Sequence, residues 1–249
     1  MDDPINRSLV LQETLGRVAV LFTAPLLFLF IRLGGYRVRN LTRIRRKIND
    51  LMRRHKGPWL ICANHLTLID SFILAYAMFP AYRYMIHFRL VPWNMPEYMN
   101  FNRNRLVGLF CYLVKCIPVI RGGDREVVKI SLEKCVRLLH KGENIMIFPE
   151  GTRSRIGRVN TRDYTYNVGR WFCNIEKVRV MCIYLRGDHQ KTYSNFPRFG
   201  EKFTMMVERC RPYTNLKGLR AHRHCAGQII EHLADMEKRY FASRGQRYS

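Results

Sequence analysis

Apolar and polar positions alternate along this chain in blocks. The first block is "VAVLFTAPLLFLFI", Val18 to Ile31, which carries no charge and ends against Arg32. Crossing a hydrocarbon core takes about 20 apolar residues in a helix. This run is shorter, and Pro25 interrupts it. It predicts an interfacial or re-entrant helical anchor in preference to a true span, with a buried core helix as the plain alternative. The basic stretch "RLGGYRVRNLTRIRRK" follows in place of a small-residue cleavage site, which argues against a signal peptide and suits anionic headgroups. In "LTRIRRKINDLMRRHKG", Ile44, Ile48 and Leu51 recur at helical spacing among Arg and Lys. That is the pattern of a basic amphipathic helix. Residues 1–55 therefore read as an anchor, and 56–249 as one further domain.

Beyond the anchor the pattern shortens. "WLICA" reads as a buried strand, "LIDSFILAYAMF" as a helix stopped by Pro80, and "YRYMIHF" as an alternating strand. "RLVGLFCYLVKC" predicts a helix and "IPVI" a short strand. The best-defined helix has Gly123-Asp124 as its cap, Val128, Leu132, Cys135 and Leu139 as its apolar stripe, and Gly142 as its stop. "NIMIF", "VRVMCIYL" and "FTMMVER" read as strands, and a last helix carries Ile229, Leu233, Met236 and Tyr240 on one face. Short apolar strands alternating with helices predict an α/β fold, a mostly parallel central sheet covered by helices. Ligands of such sheets bind beyond the carboxyl ends of the strands.

Composition narrows the partners. The 249 residues hold 43 Lys and Arg against 19 acids, a formal charge of +24. Such an excess calls for anionic lipid, nucleic acid, or an acidic protein or substrate. The basic residues are spread along the chain and no nucleic-acid motif appears, so nucleic acid is not expected. The eight cysteines are scattered without a C-x-x-C pair, which predicts reduced thiols and no zinc site.

Three polar clusters follow predicted strands: Asn64-His65 after "WLICA", Arg121 after "IPVI", and Glu150, Gly151, Thr152 and Arg153 after "NIMIFP". Parallel strands would bring all three to one edge of the sheet. His65 and Asp70 are five positions apart, off a common face of a continuous helix. A turn at Asn64-His65 followed by a helix from near Thr67 would let the ring fold back onto the carboxylate. Asp70 would then fix the tautomer and leave the other ring nitrogen as a general base. The plain alternative is a helix-start asparagine with a locally satisfied histidine. For "FPEGTRSR" the alternative is an ordinary polar turn, and for Arg121 a surface arginine beside Gly122-Gly123.

These same residues resemble the glycerolipid acyltransferase family, which contains the 1-acylglycerol-3-phosphate acyltransferases. "NHLTLID" fits its N-H-x-x-x-x-D box, "VIRGGDRE" resembles its second box, and "IFPEGTRS" contains its third, F-P-E-G-T-R-S, unchanged. The resemblance spans about Pro58 to Val207. It implies that 56–249 is an acyltransferase domain with His65 and Asp70 as the catalytic pair. It further implies that Asn64, Arg121, Glu150, Gly151, Thr152 and Arg153 help hold the acceptor. On charge alone Glu150 suits orienting the arginines or a glycerol hydroxyl better than a phosphate. The implied reaction moves an acyl group from acyl-CoA or acyl carrier protein to a lysophospholipid, with lysophosphatidic acid first and a lyso-aminolipid second. Neither metal nor organic cofactor is expected. The implied location is the cytoplasmic face of a membrane, the inner one in a bacterium.

Two stretches depart from the family. The fourth box usually carries a proline, whereas "VMCIYL" has none, and "VNTRDYTYNVGRW" is unusually polar and aromatic. Both put the acceptor's identity in question. Arg89 stands where relatives often have a lysine and is a candidate phosphate contact. Ser71 reads as a helix residue, with direct transfer preferred to an acyl-enzyme. Against these enzyme readings stands a non-catalytic basic protein binding membrane or nucleic acid, which would need no positioned base.

Overall fold

A computed structural model describes residues 3–101, 104–120 and 124–245 of the chain. Helix α1 (Pro4–Leu33) leads through strand β1 (Arg37–Val38) to α2 (Leu41–Arg54) and β2 (Trp59–Ala63). Helices α3 (Asp70–Met78) and α4 (Ala81–Ile86) precede a 3-10 turn at Phe88–Leu90 and β3 (Trp93–Asn94). Then come α5 (Tyr98–Phe101), α6 (Arg105–Leu113), α7 (Arg125–His140) and β4 (Ile145–Ile147). The chain closes with α8 (Asn167–Asn174), β5 (Arg179–Gly187), β6 (Lys202–Cys210) and α9 (Gly218–Ser243).

The strands form one sheet in the order β1-β6-β5-β2-β4-β3. β3, β4, β2 and β5 are mutually parallel; β6 runs against β5, and β1 is parallel to β6. The predicted class is thus the observed one. Side chains of a strand alternate between faces, and each face here meets its own core. Leu60, Cys62, Ile145, Ile147, Val180 and Cys182 pack with α7, α8 and α9. Trp59, Ile61, Ala63, Met146, Met181 and Ile183 pack with α1 to α4. All five residues of β2 are buried, which is why its sequence is a continuous apolar run and not an alternating one.

Helix α1 is 30 residues long, more than twice the apolar run that marks it in the sequence. One stripe, including Leu9, Gln12, Gly16, Val20, Ala24 and Phe28, is buried along the domain. Gly16 permits the approach, since a Cβ there would sit 2.8 Å from the Leu113 carbonyl. Gln12 donates to the Tyr112 and Cys116 carbonyls at the end of α6, both at 2.9 Å. The opposite face stays exposed and apolar, with Leu15, Val18, Phe22, Leu26 and Leu29 outward.

Two expectations fail. "YRYMIHF" is helix α4 followed by a 3-10 turn, not a strand. Tyr82 and Ile86 are exposed while Tyr84 is buried, so the alternation does not mark one buried face. Pro80 sets the extended backbone that starts this helix, and the Tyr84 hydroxyl donates to the Ala75 carbonyl at 2.7 Å. "IPVI" forms no full strand, because Pro118 has no N–H to give. Cys116, just before it, bridges Asn94 of β3, and Val119 bridges Glu97 beyond β3. The cap at Asp124 is as predicted, its side chain accepting from the Glu126 amide.

Candidate active site

The register of two neighbouring strands assembles the site. Cys62 of β2 lies opposite Ile147 of β4 in a parallel pair. His65 is three residues past Cys62, and Glu150 three past Ile147, so both leave the sheet side by side. The Glu150 carboxylate accepts the His65 amide at 3.0 Å. On the other side, Asn64 replaces the backbone ladder. Its carboxamide donates to the Leu185 carbonyl at 2.9 Å and accepts the Leu185 amide at 2.7 Å. The main chain of β2 is thereby released into a turn while its end stays fixed to β5. Asn64 thus shapes the turn, with both ends of its amide engaged by β5.

The turn folds the ring back as the spacing predicts. His65 Nδ1 lies 3.1 Å from Asp70 Oδ2. The carboxylate is itself held: Oδ2 accepts the Leu66 and Thr67 amides at 2.6 and 2.7 Å, and Oδ1 accepts the Thr67 hydroxyl at 2.6 Å. Asp70 opens α3, later than the predicted start near Thr67. Its side chain is 3% exposed and that of His65 16%. The imidazole stacks on Phe148, with centroids 4.0 Å apart and planes at 12°. With Nδ1–H donated to Asp70, the geometry leaves Nε2 as the proton acceptor.

A second carboxylate network fixes the loop after β4. Glu150 also accepts the Asn160 amide at 3.0 Å. The adjacent Val159 amide donates to Glu237 of α9 at 3.1 Å, and the Tyr184 hydroxyl donates to the same carboxylate at 3.1 Å. Arg186 reaches it at 3.6 Å and donates to the Gln190 carbonyl at 2.7 Å. Gly157, at φ +67, lets loop 150–160 lie against Lys191, whose carbonyl would be 2.0 Å from a Cβ. Burial pushes the Glu150 carboxyl up to about 8, opposed by the Asn160 and His65 amides and helped by the charges of Glu237 and Asp70.

A carboxyl raised in the folded state holds a proton that the unfolded chain has already released. Its stabilising contribution is full below the ordinary value of 4.5 and is lost as pH rises through the window up to about 8. Urea midpoints should therefore show wild type losing ground to Glu150→Gln across that window. A pH-independent difference would refute the assignment.

Arg153 connects the loops on either side of His65. Its Nη1 donates to the Ser194 carbonyl at 3.0 Å and to Asn195 Oδ1 at 2.8 Å. The guanidinium also lies 5.7 Å from the Tyr193 ring centre. Gly151, at φ +73, donates its amide to the Phe148 carbonyl, so this N–H serves the turn and not an oxyanion. Thr152 is exposed at the tip. Arg121 lies outside the described residues. Arg89 is placed elsewhere: it pairs with Glu143 at 2.8 Å, just before the amino end of β4. Glu143 also binds the buried Lys115 at 2.8 Å and the Trp93 indole at 3.2 Å. The suggested phosphate contact at Arg89 is thus corrected to a structural ion pair, at the end of the sheet away from His65.

Sequence reasoning missed Phe148, Thr67, Asn160 and Glu237. Glu237 had a signal, an acid inside the apolar stripe between Leu233 and Tyr240. Phe148 had one too, its place at the head of the third box. Among the described residues, no group of three or more His, Cys, Asp and Glu could hold a metal ion.

A buried carboxylate orients a part-exposed imidazole at the carboxyl edge of a parallel sheet, an arrangement chemically able to take a proton from a hydroxyl. A family model described as Acyltransferase matches residues 35–171. The chain belongs to this family, the glycerolipid acyltransferases. Among curated proteins none matches it.

Proposed function

We propose that the protein is a membrane-surface O-acyltransferase that acylates 1-acylglycerol-3-phosphate to phosphatidic acid, using acyl-CoA or acyl carrier protein as donor. The observation that carries this reading is the His65–Asp70 pair at 3.1 Å. His65 Nε2 takes the proton of the acceptor hydroxyl as its oxygen attacks the thioester carbonyl. The tetrahedral intermediate collapses, the C–S bond breaks, and the thiolate takes the proton back from the imidazolium. Asp70 holds the ring and offsets its charge throughout. Ser71 follows Asp70 on α3 and faces an apolar cleft that Phe72, Ala24 and Phe110 also line. A cleft of that lining beside the base suits the acyl chain, which supports direct transfer from a bound thioester. Arg153 and the net charge of +24 suit the phosphate of the acceptor.

Thiol release from an acyl thioester, measured with a panel of lysolipids, tests the proposal. Release dependent on lysophosphatidic acid is expected. Dependence on a lyso-aminolipid instead would replace the acceptor, and no release with any lysolipid would remove the function.

The outward face of α1 supports membrane attachment without crossing. By length and composition the helix could span a bilayer. A crossing helix would have to leave α3, α4, α6 and α7, against which its inner stripe packs. A tag at the N-terminus is expected on the same side of the membrane as the catalytic domain. Protease access to that tag only from the opposite side would refute this topology.

A further inference from the structure

A second cavity lies at the far end of α3 from Asp70. It opens between α1, α2 and the start of α4, and has about 460 Å³ of room. Pro25, Leu29, Tyr76 and Tyr82 contribute apolar wall, and Arg32 and Arg45 bring two cations to it. Arg45 donates through Nη2 to the Tyr76 carbonyl at 2.8 Å. Its Nε is buried without an acceptor. Among the described residues, neither arginine forms an ion pair.

Two cations at an apolar cavity, one with a buried donor unmet, ask for an anion. We propose that this cavity binds the headgroup phosphate of an anionic membrane phospholipid, held by Arg32 and Arg45. The surface beside it decides the kind of anion. Leu29 lies at the cavity, and Phe22, Leu26 and Leu33 continue outward on α1, each largely exposed. A phosphate seated between the arginines can lay its acyl chains along this face, where free phosphate would leave the apolar wall unused. Tyr82, 61% exposed at the rim, has the amphipathic ring that suits the headgroup level. Burial disfavours the Arg45 cation, the tyrosines Tyr76, Tyr84 and Tyr82 partly offset this, the charge of Arg32 adds to it, and a bound phosphate relieves the burial and the repulsion. The cavity stands apart from the Asp70 end of α3, since six residues put about 9 Å of helix rise between Asp70 and Tyr76. A lipid here would clamp α1 to α2 at the membrane surface.

The test is lipid retention by the full-length protein, read by native mass spectrometry after incubation with phosphatidylglycerol or with phosphatidylcholine. Wild type is expected to retain one phosphatidylglycerol in preference to phosphatidylcholine. Arg32→Gln/Arg45→Gln should lower this retention about tenfold or more, the usual effect of losing charge-assisted hydrogen bonds. Arg220→Gln/Arg223→Gln removes the same charge from α9 and should leave retention unchanged. Arg32 is exposed, so Arg32→Glu alone keeps the fold and should weaken retention if the double variant is unstable. Equal retention by wild type and the cavity variants, or equal loss in the α9 variant, would overturn the site. Displacement by millimolar inorganic phosphate would mark a simple anion site and overturn the lipid assignment.

Discussion

Replacing His65 with alanine is expected to abolish acyl transfer while leaving the protein folded. The ring is on a turn, part exposed, and its side-chain contacts are Asp70 and the face of Phe148. General acid–base catalysis contributes about 10²–10⁴ in rate, so His65→Ala should lose at least that. Asp70→Asn should behave differently. It removes the charge that stabilises the imidazolium and leaves the ring free to take the wrong tautomer. In a serine-protease triad, the analogous change costs about ten-thousandfold. Asp70 also accepts the Leu66 and Thr67 amides, and an asparagine NH₂ in the Oδ2 position would face both donors. A buried donor left unmet costs about 1–3 kcal/mol. The aspartate variant should therefore lose stability as well as rate, whereas His65→Ala loses rate alone. Transfer rates and thermal melts of both variants separate the two effects. A folded His65→Ala enzyme with near-normal transfer would return the motif to a plain helix start.

Arg153→Ala should raise the KM for the acceptor about ten- to 150-fold, the equivalent of the 1.5–3 kcal/mol typical of a hydrogen bond to a charged group. The KM for the acyl thioester should change far less. The guanidinium reaches Ser194 and Asn195 through one nitrogen, so the loops on both sides of His65 share it. Arg153→Lys keeps the charge but not the planar fork, and should recover only part of the loss. Equal changes in both KM values would assign Arg153 to holding the loops and remove it from the acceptor site.

The sequence by itself determined the central strands and the meeting of His65 with Asp70, because both rest on local patterns. A five-residue strand buried on both faces must be apolar throughout, and "WLICA" is. A turn between His65 and Asp70 follows from their distance off one helical face, and the carboxylate meets the ring as that distance requires. The cap at Asp124 is equally local. What the tertiary structure decided are partnerships between residues far apart in the chain. Asn64 has no local feature that names Leu185, 121 positions away. Glu150 looked like an arginine orienter, yet the register of β2 against β4 delivers it to the His65 amide. Arg89 looked like a phosphate ligand until the fold set it beside Glu143. The strand expected at "YRYMIHF" fails for the same reason, since only the packing of α4 shows that Tyr84 turns inward while Tyr82 and Ile86 stay exposed. Short-range periodicity records which face of an element is buried. It carries no record of what that face, or a charge at its end, will meet.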